Sequence, residues 1–247
     1  MSNQNKIALV TGANKGIGLE TARQLGHLGI TVLLGARDAA KGEQAAAQLR
    51  SEGINTHPLK LDVVDRDDIA AAAALIARDF GHLDILINNA GIMVEDGFGS
   101  NDAATVTGDQ LRQTFETNVF AVIALTQALL PLIKKSPAAR IVNVSSILGS
   151  NTFHATPGSP IYEAKGAFAY DASKAALNSF TIHLAHALRD TGIKVNSAHP
   201  GWVKTDMGGN GAMMEIVEGA KTEVDLATLP EDGPTGSYIH LGKTIPW

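Results

Sequence analysis

Short apolar runs rich in β-branched residues recur along the chain, separated by longer stretches with helical spacing. "KIALVT" ends at Thr11, "TVLLGA" at Ala36, "HPLKLDV" at Val63, "LDILINNA" at Ala90, "RIVNVSS" at Ser146 and "IKVNSAHP" at Pro200. Several hold four or more apolar residues nearly in a row, as strands buried on both faces do. Helix-compatible segments lie between them, at 16–28, 39–52, 66–80, 109–135 and 168–190. Strands alternating with crossovers of this length predict an α/β fold. The expectation is a single Rossmann-type, doubly wound parallel sheet with helices on both faces. No repeat, charge block or linker divides the chain, so residues 1–247 are read as one domain.

Composition narrows the function classes. The chain is 45% hydrophobic and 18% charged, with a net charge of −5, which argues against nucleic acid or anionic membrane as a general partner. Cysteine is absent, so disulfides and thiolate-bound zinc are excluded. The N-terminus "MSNQNK" has no apolar signal core. The apolar run from Phe120 to Ile133 is short of the roughly 20 residues that span a bilayer. A soluble, cytoplasmic protein is the expectation.

In an open α/β sheet, ligands bind beyond the carboxyl ends of the strands. After the first strand comes "TGANKGIG". Gly12, Gly16 and Gly18 permit a sharp turn and close approach of a phosphate, and the next helix offers free N–H groups. Gly12, Asn14, Lys15, Gly16, Ile17 and Gly18 are therefore candidate cofactor contacts. The spacing differs from the general Gly-x-Gly-x-x-Gly fingerprint.

The second strand ends "GARD". An acid at its end would bind a ribose hydroxyl, whereas a cation would suit a 2′-phosphate. Ala36 leaves the usual acidic position neutral, and Arg37 and Lys15 supply two cations. Asp38 is the competing reading, a ribose acid displaced by two positions. The cations outweigh it, favouring NADP(H) over NAD(H).

Two Tyr–Lys pairs stand close together. Tyr162 precedes Lys165 by three residues among Pro157, Gly158, Pro160 and Gly166, a loop in which no fixed geometry is expected. Tyr170 precedes Lys174 by four within a helix-compatible stretch, so that pair shares a helix face. An ammonium about 4 Å from a phenol, at an effective dielectric near 20, is worth roughly 4 kcal/mol, or about three pKa units. Burial opposes part of this. Tuning of Tyr170 toward neutrality is expected.

Taken together, "TGANKGIG", "NNAG" at 88–91, Asn118 in "TNVF", "VNVSS", "YDASK" and "HPGWVKT" resemble the short-chain dehydrogenase/reductase family over nearly the whole chain. "GARD", "PGWVKTDM" and the ending "GKTIPW" are similar to its carbonyl-reductase-like subgroup. The resemblance implies reduction of ketones or aldehydes, or oxidation of secondary alcohols, with NADP(H). It makes Tyr170 the proton donor, Lys174 the ribose ligand, Ser146 the hydroxyl that positions substrate oxygen, and Asn118 the anchor of a water linked to Lys174. Ser145 is the neighbouring alternative, which strand alternation aims the other way. The resemblance further implies cofactor contacts at Asp62, Val63, Asn89, Ala90, Gly91, Pro200, Gly201, Val203 and Thr205. Trp202 and Met207 are candidate pocket walls, and 208–214 a candidate lid.

One departure stands out. Tyr170 follows Ser146 by 24 residues, further than in compact members of the family. The extra segment contains Tyr162, read either as a substrate contact or as loop packing, and it leaves the homo-oligomeric state open. His183 and His186 have helical spacing but no third ligand, so no metal is expected. Enoyl reduction and a non-catalytic NADP(H)-binding regulator are the rival functions. The first typically spaces tyrosine and lysine more widely, and the second would lack one of them.

Overall fold

A computed structural model of the chain describes residues 5–95, 101–209 and 211–247. Strands β1 (Ile7–Thr11), β2 (Thr31–Ala36), β3 (Thr56–Lys60), β4 (Ile85–Asn88), β5 (Arg140–Val144), β6 (Lys194–Ala198), β7 (Tyr238–His240) and β8 (Lys243–Thr244) form one sheet. Its order is β3-β2-β1-β4-β5-β6-β7-β8. Every pairing is parallel except β7 with β8. The helices are α1 (Gly16–His27), α2 (Ala39–Ser51), α3 (Arg66–Asp79), α4 (Gly108–Phe115), α5 (Ala121–Ile133), α6 (Asn151–Ala155), α7 (Phe168–Ala187) and α8 (Ile216–Ala227).

The expected doubly wound architecture follows from strands apolar on both sides. In β1, Ile7 and Leu9 join a core with Leu33, Ile76, Leu125 and Leu129, under α3 and α5. Ala8 and Val10 point the other way, to Leu25, Leu49 and Val224 of α1, α2 and α8. Three crossover helices begin on side-chain caps. Asp38 accepts from the amides of Ala40 and Lys41, and Asp65 from those of Asp67 and Asp68. Thr107 and Gln110 form a reciprocal capping box. Each cap contributes about 1 kcal/mol.

Four strands end earlier than their apolar runs suggest: β3 at Lys60, β4 at Asn88, β5 at Val144 and β6 at Ala198. The first residues after β3, β5 and β6 keep one bond to the neighbouring strand, and side chains then take the amides of Asp62, Asn89, Ala90 and Ile147. The helix expected over 109–135 is interrupted by a π-helical turn at Glu116–Phe120. The helical stretch Gly108–Ile133 is long and apolar enough to cross a membrane by length and composition, unlike the shorter run counted from Phe120. Half of its most apolar window is buried in the protein, and α5 packs on α3.

Strands β7 and β8 carry no sequence signal, because three and two residues are too few to show alternation. They nevertheless close the sheet over the site. Tyr238 is fully buried and stacks on Trp247, with ring centroids 5.4 Å apart. The Ile245 amide donates to Tyr238 O at 2.7 Å, Ser150 Oγ to Pro246 O at 2.7 Å, and the Thr152 amide to Trp247 O at 2.9 Å. The closing "IPW" thereby ties the segment after β5 to the sheet edge.

The contact between α1 and α8 contains a buried acid. Glu223 is fully buried, and Thr21 Oγ1 donates to its Oε2 at 2.7 Å. Burial pushes its carboxyl up from 4.5 to about 8. A folded-state pKa above the unfolded one means that this group's contribution is fully present below about pH 4.5. It is lost as pH rises through about 8. Glu223→Gln should therefore gain stability over the native chain between pH 5 and pH 9, by roughly 2–4 kcal/mol. Thermal melts of both proteins across that range will show a widening difference in Tm.

Candidate active site

The strand order reverses between β1 and β4, whose following helices leave on opposite faces. Such a switch point opens a crevice at the carboxyl edge. Here its two walls are tied together by Thr11 and Asn89. Thr11 Oγ1 accepts from the amides of Asn89 (3.0 Å) and Ala90 (2.9 Å). Asn89 Nδ2 donates to Thr11 O (2.7 Å) and Gly12 O (3.3 Å). Gly12 and Gly16 have φ of 62° and 59°, in the left-handed region that favours glycine. A Cβ on Gly18 would stand 2.4 Å from Asn89 Nδ2. Unlike α2, α3 and α4, α1 begins with no side-chain cap, and its first turn holds no acid. Its free N–H groups and positive dipole end form a cradle that fits a phosphate. Asn14 and Ile17 are partly exposed around that cradle, and Lys15 is exposed.

The end of β2 decides between the two readings of "GARD". Asp38 Oδ1 accepts from the amides of Ala40 (3.0 Å) and Lys41 (3.1 Å), so this carboxylate serves α2 as its cap. Arg37 is exposed beside it. Lys15, expected as a second cation for the 2′-phosphate, has its Nζ 2.5 Å from Asp206 Oδ2 in the loop after β6. Both side chains are exposed, and such a pair is worth about 0–1 kcal/mol, little enough to yield to a phosphate. Asp62 Oδ1 accepts from the Val64 amide at 3.2 Å, and Val63 is buried.

Ser145 and Ser146 leave β5 in opposite directions. Ser145 is 2% exposed and continues the ladder to Ala198 O. Ser146 is partly exposed, and its Oγ caps the 3₁₀ turn Ile147–Gly149 by accepting from the Leu148 amide at 3.3 Å. The Ser146 side chain stands near enough to the Tyr170 hydroxyl to favour its ionised form. Tyr170 lies in the first turn of α7, and Lys174 lies one turn on. Lys174 Nζ is 5.4 Å from the centre of the Tyr170 ring and donates to Val144 O at 2.8 Å. Gly149 fits against α7 because a Cβ there would fall 2.8 Å from the Lys174 carbonyl carbon.

Burial dominates the electrostatics of this pair. It pushes the Tyr170 phenol up from 10 to about 12, against the Ser146 side chain and with the nearby acids Asp171 and Glu95. It pulls Lys174 down from 10.5 to about 8. The expected tuning of Tyr170 toward neutrality is therefore not met in the protein itself. The ammonium lies against the ring and bonds a carbonyl, and desolvation of the phenolate outweighs it.

Asn118 sits fully buried in the π-helical turn, a feature often found at functional sites. Its Oδ1 accepts from the Ile92 amide at 2.8 Å, while Nδ2 donates to Ile92 O (2.8 Å) and Ser173 Oγ (3.0 Å). The side chain clamps the backbone after "NNAG". A Cβ on Gly91 would lie 3.3 Å from Asn118 Oδ1 and 3.5 Å from Lys174 Nζ, which puts these two groups side by side.

Pro200 is buried, and Gly201 has φ of 98° with no room for a Cβ beside Met214. The segment read as a lid turns back on the strand edge. The amides of Met213 and Met214 donate to Trp202 O at 3.1 and 3.0 Å, and Val203 bridges to Met214. Thr205 Oγ1 accepts from the Gly208 amide at 3.2 Å. Asn210 lies outside the described residues. Trp202 and Met207 are among the exposed large apolar side chains, as pocket walls would be. Contrary to expectation, Tyr162 has a defined partner. Lys165 Nζ lies 5.1 Å over its ring and donates to His154 O at 2.7 Å, an arrangement that packs the loop.

Five contributors were not among the site residues expected from sequence: Thr11, Glu95, Asp171, His199 and Tyr238, although Thr11, Asp171 and His199 fall inside the quoted motifs. Glu95 is buried and accepts from the Tyr170 amide at 3.0 Å, capping the start of α7. Burial and Glu95 push the neighbouring Asp171 up to about 7. The Tyr238 hydroxyl donates to Ser146 O. These links join residues distant in sequence, and no local pattern encodes them.

Residues 6–215 match the family model described as short chain dehydrogenase. The chain is 35% identical to the carbonyl reductase (NADPH) 1 of Bos taurus, with both chains covered in full. It is also 35% identical to short-chain dehydrogenase/reductase 1 of Saponaria officinalis, over 99% of this chain and 97% of that one. Among solved structures, the NADPH-bound carbonyl reductase from chicken fatty liver superposes with a TM-score of 0.84 at 31% identity. That superposition covers 99% of this chain and 100% of the other.

The tie between β1 and β4 has a direct test. Gly18→Ala drives a methyl group into the Asn89 amide and breaks its hydrogen bond to Thr11 O. It should cost about 1–3 kcal/mol of stability, read as a lowered Tm. Gly108→Ala is the comparison, since its φ lies outside the left-handed region and a Cβ there meets only the end of the flexible Arg112 side chain.

Proposed function

The chain belongs to the short-chain dehydrogenase family, and on that premise we propose that it is an NADPH-dependent reductase of small ketones and aldehydes, acting in reverse on secondary alcohols. The observation that carries this reading is the buried Tyr170, with the Ser146 side chain acting on its hydroxyl and Lys174 Nζ 5.4 Å from its ring centre. When bound, NADPH supplies a hydride to the carbonyl carbon. The carbonyl π pair moves to oxygen, which takes the proton of the Tyr170 hydroxyl as the C–H bond forms. A phenol at about 12 stays protonated at neutral pH, the form reduction needs, and an alkoxide is basic enough to take its proton. Ser146 donates a second hydrogen bond to the same oxygen. Lys174, adjacent to both Tyr170 and Gly91, holds the ribose.

The cofactor assignment draws on the same surfaces. The uncapped start of α1, with Gly12, Asn14, Gly16, Ile17 and Gly18, would hold the pyrophosphate. Arg37 and Lys15 would take the 2′-phosphate, with Asp38 committed to its cap. Asp62 and Val63 would flank adenine. Asn89 to Gly91, and Pro200, Gly201, Val203 and Thr205, would frame the nicotinamide. The relatives' names, which specify NADPH, support the same choice. Trp202 and Met207 would line the substrate mouth.

Two experiments test these assignments. Tyr170→Phe should lower kcat for ketone reduction by about a thousandfold or more while NADPH still binds. Tyr162→Phe should leave kcat largely intact. A Tyr170→Phe enzyme with near-native turnover would reject the proton-donor role. The second compares kcat/KM for NADPH and NADH with one ketone. One charge-assisted hydrogen bond is worth about 1.5–3 kcal/mol, so Arg37→Ala should weaken NADPH by roughly ten- to a hundredfold. NADH should be nearly unaffected, and equal losses would mean that Arg37 does not read the phosphate.

A further inference from the structure

His199 ends the run "NSAH" directly before Pro200 and is absent from the chemistry described above. It is 7% exposed. Its backbone is held by β7, the amide donating to Ile239 O at 2.8 Å and the carbonyl accepting from His240 Nδ1 at 2.8 Å. Its ring contacts that of His240 at a centroid distance of 4.7 Å. The ring's Nδ1 accepts from two backbone amides at once, that of Ile147 at 3.2 Å and that of Gly201 at 3.3 Å. Two donors aimed at one nitrogen require that nitrogen to be bare and the ring proton to sit on Nε2.

The two amides belong to different halves of the candidate site. Ile147 follows Ser146, whose side chain acts on the Tyr170 hydroxyl, and opens the 3₁₀ turn that packs on Lys174. Gly201 lies in the loop after β6, with φ of 98° and Met214 filling the place a Cβ would take. No other hydrogen bond given for the described residues runs between Ser146–Leu148 and Pro200–Gly201.

We propose that His199 is a positioning residue, whose Nδ1 sets the spacing between the proton-donating pair Ser146–Tyr170 and the loop that faces the nicotinamide. The proposal rests on the reductase reading above and adds to it a residue that touches neither substrate nor cofactor. Hydride and proton must reach adjacent atoms of one carbonyl, so an error in this spacing acts on the chemical step more than on binding. The acceptor must also be available at every working pH. Burial, with His240 beside it, holds the imidazole down at about 3, so the ring is neutral and Nδ1 stays bare.

Three substitutions separate this role from packing. In His199→Asn, the amide oxygen stands where Nδ1 stood. In His199→Gln, the acceptor moves one bond outward. In His199→Leu, there is no acceptor. Thermal melts, the NADPH Kd and the kcat and KM for one ketone are measured for each, with Tyr170→Phe alongside. His199→Leu should lose about ten- to a hundredfold in kcat, while the NADPH Kd moves by less than about threefold. His199→Asn should recover to within about threefold of the native kcat, and His199→Gln should not. If His199→Leu does not fold, the Asn and Gln variants alone decide, and equal turnover in those two overturns the proposal. A His199→Leu enzyme with near-native kcat, or variants whose Tm falls while kcat is unchanged, also overturns it. Near-native turnover in Tyr170→Phe would instead reject the proton-donor reading, independently of the His199 series.

Discussion

A buried ammonium group organises this molecule. Lys174 is 4% exposed, and its Nζ reaches Val144 O at the end of β5. Taking a cation out of water is costly unless polar groups replace the water. The protein meets that demand by assembling several elements around one point. The end of β5 offers a carbonyl, Gly91 and Gly149 give up their side chains, and Asn118 lies alongside. Glu223, across the sheet on α8, opposes the loss of the lysine proton. The same demand explains the tyrosine. Where burial lowers a lysine it must raise a phenol, because both shifts disfavour the charged form.

Support for that point runs through the sheet as a chain of polar side chains. Asn88 Nδ2 donates to Asn143 Oδ1 at 2.8 Å and to Thr126 Oγ1 at 3.1 Å. Asn143 Nδ2 donates to Thr181 Oγ1 at 2.9 Å, and Ser197 Oγ reaches the same hydroxyl at 2.8 Å. This network joins β4, β5 and β6 to α5 and α7 immediately beneath the site. Buried polar groups connected in this way resist displacement, since each break strands a donor or acceptor away from water. The carboxyl edge, from which every candidate group projects, is thus held more firmly than apolar packing alone would hold it.

Above the sheet, each loop is tied to another. Thr11 and Asn89 join the first and fourth strand ends, and Lys15 meets Asp206 across the mouth. Glu95 caps α7, and Trp247 pins the segment after Ser146. The longer gap between Ser146 and Tyr170 becomes intelligible in this light. The added residues form a short helix and a loop anchored by Lys165 and by the chain end, so they wall the site without disturbing the spacing of the pair.

The sequence alone determined what depends on neighbours along the chain. Alternating apolar strands and helical segments disclosed the doubly wound sheet, because burial on both faces leaves a continuous apolar run. The glycine turn before α1 and the four-residue spacing of Tyr170 and Lys174 were legible because a turn and a helix face are local geometries. Tertiary structure decided what depends on distant partners. Asp38 was freed of its ribose role by the start of α2, and the side-chain amide of Asn118 was claimed by Ile92. The tuning of Tyr170 was reversed by burial that pairwise Coulomb reasoning underweights. Thr11 and His199 lie inside motifs and Glu95 and Tyr238 outside them, yet none was legible as a contributor, since each is defined by a hydrogen bond to a residue dozens of positions away. Only the folded sheet brings those partners within reach.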